Sequence, residues 1–136
     1  MSAPKNIQRS SVLLIFTGGT ISMGENQTTQ ALAPLDSDRV LSLIPELKML
    51  HVDISSVSFC PLIDSSDMQP EAWVRIAEII RDNYDRFDGF VVLHGTDTMA
   101  YSASALSFML EHLGKPVIFL GRSCLWAFCA AMPKRI

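Results

Sequence analysis

The 136-residue sequence predicts an α/β domain built on a parallel, doubly wound sheet, and three observations carry that prediction. Val12 to Phe16, Phe90 to Leu93 and Val117 to Leu120 are short, unbroken apolar runs, the form taken by strands covered on both faces. Helical patterns stand before the second and third of these runs, giving a strand–helix rhythm whose crossovers are expected to be right-handed. Threonine-bearing turns with glycines follow the first two runs, and the crevice beyond the carboxyl ends of parallel strands is where such sheets bind ligands.

The elements follow in order. Residues 1–10 form a polar lead-in, and Val12 to Phe16 is too short for a signal-peptide core and is followed by no cleavage site, so a cytoplasmic location is expected. Ser22 to Leu35 is polar, with Gly24, Asn26 and Gln27 ahead of Pro34, and reads as a hairpin or flap. Asp36 to Ile44 predicts a short helix ended by Pro45, and Leu47 to Phe59 predicts one or two strands of alternating character. Pro70 opens an amphipathic helix with Trp73, Ile76, Ala77, Ile80 and Tyr84 on one face and Arg75, Glu78 and Arg81 facing away. From Thr98 to Leu113 the pattern is apolar nearly all round, which predicts a deeply packed helix stopped by Gly114-Lys115-Pro116.

Composition narrows the function classes. The length suits one domain with a core of its own, and a net charge of −3 with no basic stripe argues against nucleic acid as a partner. No apolar run approaches the ~20 residues of a membrane span. Cys60, Cys124 and Cys129 are odd in number and lack metal-ligand spacing, so neither a disulfide nor a metal site is expected.

Three turns carry residues able to do chemistry. Thr20 follows two glycines, which allow a sharp turn and bring backbone N–H groups close to a ligand. It is either a turn threonine or a nucleophile. Thr96 and Asp97 stand between a strand and a helix, where Asp97 can cap the helix or, as a carboxylate at the sheet's carboxyl edge, hold an ammonium group. Asp64-Ser65-Ser66-Asp67-Met68, ahead of the helix at Pro70, can likewise cap a helix or offer serine hydroxyls to a carboxylate. His94 is expected to pack or hydrogen-bond at its strand end, and neither it nor His51 or His112 is assigned to catalysis.

In this order, Thr17-Gly18-Gly19-Thr20-Ile21, Asp64-Ser65-Ser66-Asp67-Met68 and His94-Gly95-Thr96-Asp97-Thr98-Met99-Ala100-Tyr101 closely resemble the bacterial L-asparaginase family, over about residues 10–121. The Ser-Ser-Asp-Met form resembles its cytoplasmic, type I branch. The resemblance implies an incomplete, flavodoxin-like amino-terminal domain over residues 11–121, with a flap at about 22–35 and without the small carboxyl-terminal domain. It implies hydrolysis of the side-chain amide of L-asparagine through a threonyl ester, with no cofactor. Thr20 would be the nucleophile, Thr96 the second catalytic threonine, Asp97 the partner of the substrate's α-amino group, and Ser65, with Ser66 beside it, that of its α-carboxylate. Backbone N–H groups would stabilise the oxyanion, at ~3 kcal/mol per donor. A threonine hydroxyl needs something to take its proton. In the family a lysine beyond the last residue here pairs with the second threonine, a second domain and a neighbouring subunit complete the pocket, and complete subunits form a homotetramer. Gln30 stands where relatives have a flap glycine.

After Gly121 the family pattern stops. Read two bases later, permitted codons for residues 121–136 spell Ala-Gln-Leu-Pro-Met-Gly-Val-Leu-Arg-Ser-Asp-Ala-Lys-Glu-Asn, a family-like continuation. Three steps have no freedom, Trp126 with Ala127 giving Gly, Phe128 with Cys129 giving Leu, and Met132 with Pro133 giving Ala, and all three fit. Residues 122–136 are therefore expected to be a frameshift product, the alternative being a divergent tail, for instance a helix. An open apolar edge at Val117 to Leu120 is expected with it, as are poor solubility and no useful activity of the chain alone. Two other functions share these turns: a glutamine-hydrolysing subunit of a tRNA-dependent amidotransferase, and a non-catalytic module that binds a small amino acid.

Overall fold

The computed structural model describes residues 9–18, 23–25, 32–34, 45–121 and 127–131. Its centre is β1 (Ser10–Phe16), the first apolar run, whose last four residues are all buried. β2 (Met23–Glu25) and β3 (Leu32–Pro34) pair antiparallel, so the expected hairpin forms between them. The helix expected over residues 36–44 lies outside the described residues. A 3-10 turn at Pro45–Leu50 replaces the start of the strand expected from Leu47, and β4 occupies Val52–Ser58. The helix opened by Pro70 is α1 (Pro70–Asn83), with the proline in its first turn, where its missing N–H costs no bond. β5 (Gly89–Leu93), α2 (Met99–Met109), β6 (Val117–Leu120) and β7 (Ala127–Ala131) complete the order.

The sheet runs β4-β1-β5-β6-β7, with the first four strands parallel. The steps from β4 to β5 and from β5 to β6 lead the same way across it, and crossovers of one hand then put α1 and α2 on one face. There Leu13, Ile15, Phe90, Val92, Val117 and Phe119 from the sheet meet Ala72, Ile76 and Ile80 of α1 and Met99, Ala103 and Leu106 of α2. The spacing of the α1 residues by four gives the helix its single buried stripe. The opposite sheet face buries Leu14, Phe16 and Leu93 beside the half-buried Val12, Ile54, Val91 and Leu120. Between the helices, the Trp73 indole N–H donates to the Ser102 hydroxyl at 2.8 Å, which satisfies a donor that packing would otherwise strand.

Two expectations are corrected. The second helix ends at Met109 rather than Leu113, and one face of it is bare: Tyr101 is 71% exposed and Phe108 84%. An all-round apolar pattern says that a helix forms but not that every side has a neighbour. Here the stripe through Met99, Ala103 and Leu106 joins the core against the sheet, and beyond Met109 His112, with φ of 55°, is incompatible with a further helical turn. The edge of β6 is not open either, because β7 pairs with it antiparallel, Leu120 opposite Ala127 and Phe119 opposite Phe128. Five residues of the tail are thus a strand, not a helix, and take up the backbone groups that β6 would otherwise leave unpaired.

Candidate active site

β1 leads outward to β4 on one side and lies against β5 on the other, so the carboxyl ends of β1 and β5 flank the point where the strand order reverses. That is where an open parallel sheet has its crevice. The ends of the two strands are fastened together. Thr17 donates both its backbone N–H (3.1 Å) and its hydroxyl (3.0 Å) to the single carbonyl of Leu93, and its own carbonyl accepts from the Ile63 N–H at 2.9 Å. Gly18 follows with φ of 151°, and a Cβ there would lie 1.8 Å from the Ile63 carbonyl oxygen. Only glycine permits this approach, so the first motif holds the loop before Asp64 against the end of β1.

The second motif is a 3-10 turn over Ser65–Asp67. The Asp64 carboxylate accepts from the Ser66 N–H at 3.0 Å and from the Ser66 hydroxyl at 2.9 Å, bonds that hold its pKa below the ordinary carboxylate value. Asp64 thus caps this 3-10 turn, but no side chain of the motif caps the helix that follows, whose cap position is Gln69 with no side-chain cap bond. Ser65 is buried, and its carbonyl accepts from the Thr98 hydroxyl at 2.6 Å. A Cβ on Gly95 would stand 2.3 Å from the Ser65 Oγ, so the second and third motifs touch through a glycine.

In the third motif His94 is wholly buried, with its ring Nδ1 2.6 Å from the Gly95 carbonyl oxygen. Thr96 and Asp97 are exposed at the rim. Of the two readings of Asp97, the helix cap is not the one the structure shows. α2 starts one residue later than that role requires, Thr98 takes the cap position, and its hydroxyl serves Ser65 rather than the helix. Asp97 consequently has no hydrogen-bond partner among the described residues. Gly121, at the end of β6, closes the same region: a Cβ there would lie 2.7 Å from the Thr96 Cγ2.

Of the residues singled out by sequence, Ser65, Ser66, Thr96 and Asp97 fall on neighbouring turns at one sheet edge, and Thr20 lies outside the described residues. His94 packs and hydrogen-bonds at its strand end as expected, whereas sequence reasoning misses the structural work of Thr17 and Thr98. Strand-end position is the available signal for Thr17, and for Thr98 there is none, since its partner is 33 residues away. A groove of about 590 Å³ between Ile80 and Arg81 of α1, Tyr84 just after it, and Met109 to Leu113 lies elsewhere. It is at the carboxyl ends of the helices, hence near the amino ends of the strands and away from these turns.

The family model described as "Asparaginase, N-terminal" matches residues 11–126. L-asparaginase 1 of Escherichia coli K12 is 52% identical over 118 residues, which are 85% of this chain and 34% of that protein. A glutamyl-tRNA(Gln) amidotransferase subunit of Saccharolobus solfataricus is 40% identical over 118 residues, 85% of this chain and 26% of its own length. The crystal structure of L-asparaginase I from Vibrio cholerae superposes with a TM-score of 0.68 at 46% identity, covering 83% of this chain and 34% of that one. The chain thus spans about a third or less of the length of these relatives.

Proposed function

Because the chain belongs to the asparaginase family through its amino-terminal domain, we propose that the protein it represents hydrolyses the side-chain amide of L-asparagine to L-aspartate and ammonia. The Thr20 Oγ attacks the amide carbon, the C–N bond breaks, ammonia leaves with the proton it gains, and water then cleaves the threonyl ester. Thr96 is the second catalytic threonine, on the turn that follows β5. The Asp97 carboxylate, exposed and without a hydrogen-bond partner among the described residues, pairs with the substrate's α-ammonium group. The Ser65 hydroxyl donates to the α-carboxylate. Ser66 stands beside it in support, since its own hydroxyl proton is already given to Asp64. The reaction needs no cofactor, and neither nucleic acid nor membrane is a partner in it. A cytoplasmic location and a homotetramer of complete subunits belong to the same reading, as does a shifted reading frame for residues 122–136.

The observation that carries the proposal is the contact of Ser65 with Gly95 at the switch point, which sets a hydroxyl turn beside Thr96 and Asp97. Asparagine is favoured over glutamine because the match to L-asparaginase 1 is 52% against 40% for the amidotransferase subunit. The test is ammonia release from both amides by the 136-residue chain and by a full-length version restored to the family frame. Only the restored protein should turn over, with asparagine preferred, and Thr20→Ala or Thr96→Ala should each lower its kcat by about 1,000-fold or more. Amino-acid binding without ammonia release would replace the hydrolase with a binding module. Sequencing the gene across Gly121 decides the frame, and a shifted frame without family-like codons would refute the shift.

A further inference from the structure

We infer that His94 is a positioning residue for this reaction: its ring, held as the Nδ1–H tautomer, donates to the Gly95 carbonyl and fixes the peptide that carries Thr96 and Asp97 against Ser65. The inference rests on the functional reading above. Its starting point is a conflict at Gly95. The close approach to Ser65 demands glycine, with no room for a Cβ, yet glycine leaves the backbone free to rotate just where two reacting residues must be held still.

His94 removes that freedom. Its Nδ1 lies 2.6 Å from the Gly95 carbonyl oxygen. A carbonyl oxygen can only accept, so the proton is on Nδ1. The Nε2–H tautomer would set two lone pairs against each other at that distance and bury an N–H with no acceptor, because Nε2 is buried and has no hydrogen-bond partner among the described residues. The doubly protonated ring would strand the same N–H and bury a charge, which agrees with a pKa pushed below the ordinary histidine value by burial. One tautomer of the neutral ring fits. The ring is itself held by the Phe119 side chain of β6, 5.8 Å between centroids at 55°, and the His94 backbone N–H is committed to the Leu120 carbonyl at 3.0 Å. β6 thus fixes the ring, and the ring fixes the turn.

Nitrogen-15 NMR of the histidine-labelled 136-residue chain reads the tautomer directly. His94 should show a protonated Nδ1 and a bare Nε2, and a protonated Nε2 overturns the inference. In the frame-restored enzyme, His94→Asn places an amide N–H where Nδ1 stood, whereas His94→Gln places it where Nε2 stood. The expected kcat falls about 100-fold in His94→Gln and about 10-fold or less in His94→Asn. Equal losses in the two variants would make His94 a packing residue only. If the unsubstituted enzyme releases no ammonia, the hydrolase reading fails and the tautomer alone judges the clamp.

Discussion

Gly18 and Gly95 both sit where a methyl group has no space, but the obstacles differ, and so do the expected consequences. At Gly18 the obstacle is the backbone carbonyl of Ile63 at 1.8 Å, so Gly18→Ala should force the loop from β1 and cost about 2 kcal/mol or more in thermal unfolding. At Gly95 it is the short Ser65 side chain, so Gly95→Ala should displace the Ser65 hydroxyl and, in the frame-restored protein, raise the KM for the proposed asparagine substrate about 10-fold or more, with a smaller stability loss. A pH prediction also belongs here. Burial lowers the His94 pKa from 6.5, so just below that value the unfolded chain takes up a proton that the folded chain does not. The stability conferred by neutral His94 is complete above pH 6.5 and is lost as the pH falls through its lowered folded value. Asp88, lowered from 3.8 by its bonds from the Ser11 N–H and hydroxyl, acts in the same sense in more acid solution. Unfolding midpoints between about pH 7 and 5 should fall for the wild type and stay flatter for His94→Asn. The hydroxyls and carboxylates of the site are legible in the sequence as residue types on turns. What each is bonded to is not, because Thr98 with Ser65 and Thr17 with Leu93 are long-range pairs without periodicity.

Elements with a single pattern are legible in the sequence, and those with two plausible neighbours are not. In α1 the charged residues Arg75, Glu78 and Arg81 mark the outer face, and the buried stripe follows by subtraction. In α2 no charge marks either side, so the sequence announces a helix and conceals its orientation. The structure supplies it, and substitution can check it. Phe108→Ser, at an 84% exposed position, should leave stability within about 0.5 kcal/mol and reduce aggregation, whereas Leu106→Ala, fully buried, should cost about 2–5 kcal/mol. Equal effects would mean that the helix is rotated from the orientation described. β7 escapes prediction for another reason: residues 127–131 carry no alternation, and a strand that only completes an edge needs backbone pairing more than pattern.

At the scale of the molecule, the parallel order of β4, β1, β5 and β6 and the position of the candidate turns follow from the alternation of apolar runs and helices, which local pattern records well. The antiparallel fifth strand does not follow, since nothing in a βαβ rhythm foretells a hairpin-like return. The sheet order also has a consequence for biosynthesis. β1 is flanked on both sides, yet it leaves the ribosome before either neighbour: the Leu93 carbonyl that receives Thr17 is made 76 residues later. At ~5–20 residues per second, this apolar strand waits about 4–15 s for β5. During that interval its unpaired backbone and its Leu13, Leu14, Ile15 and Phe16 side chains are open to any nascent neighbour, so the yield of folded protein should rise with holdase chaperones and with slower initiation, both of which keep nascent chains apart.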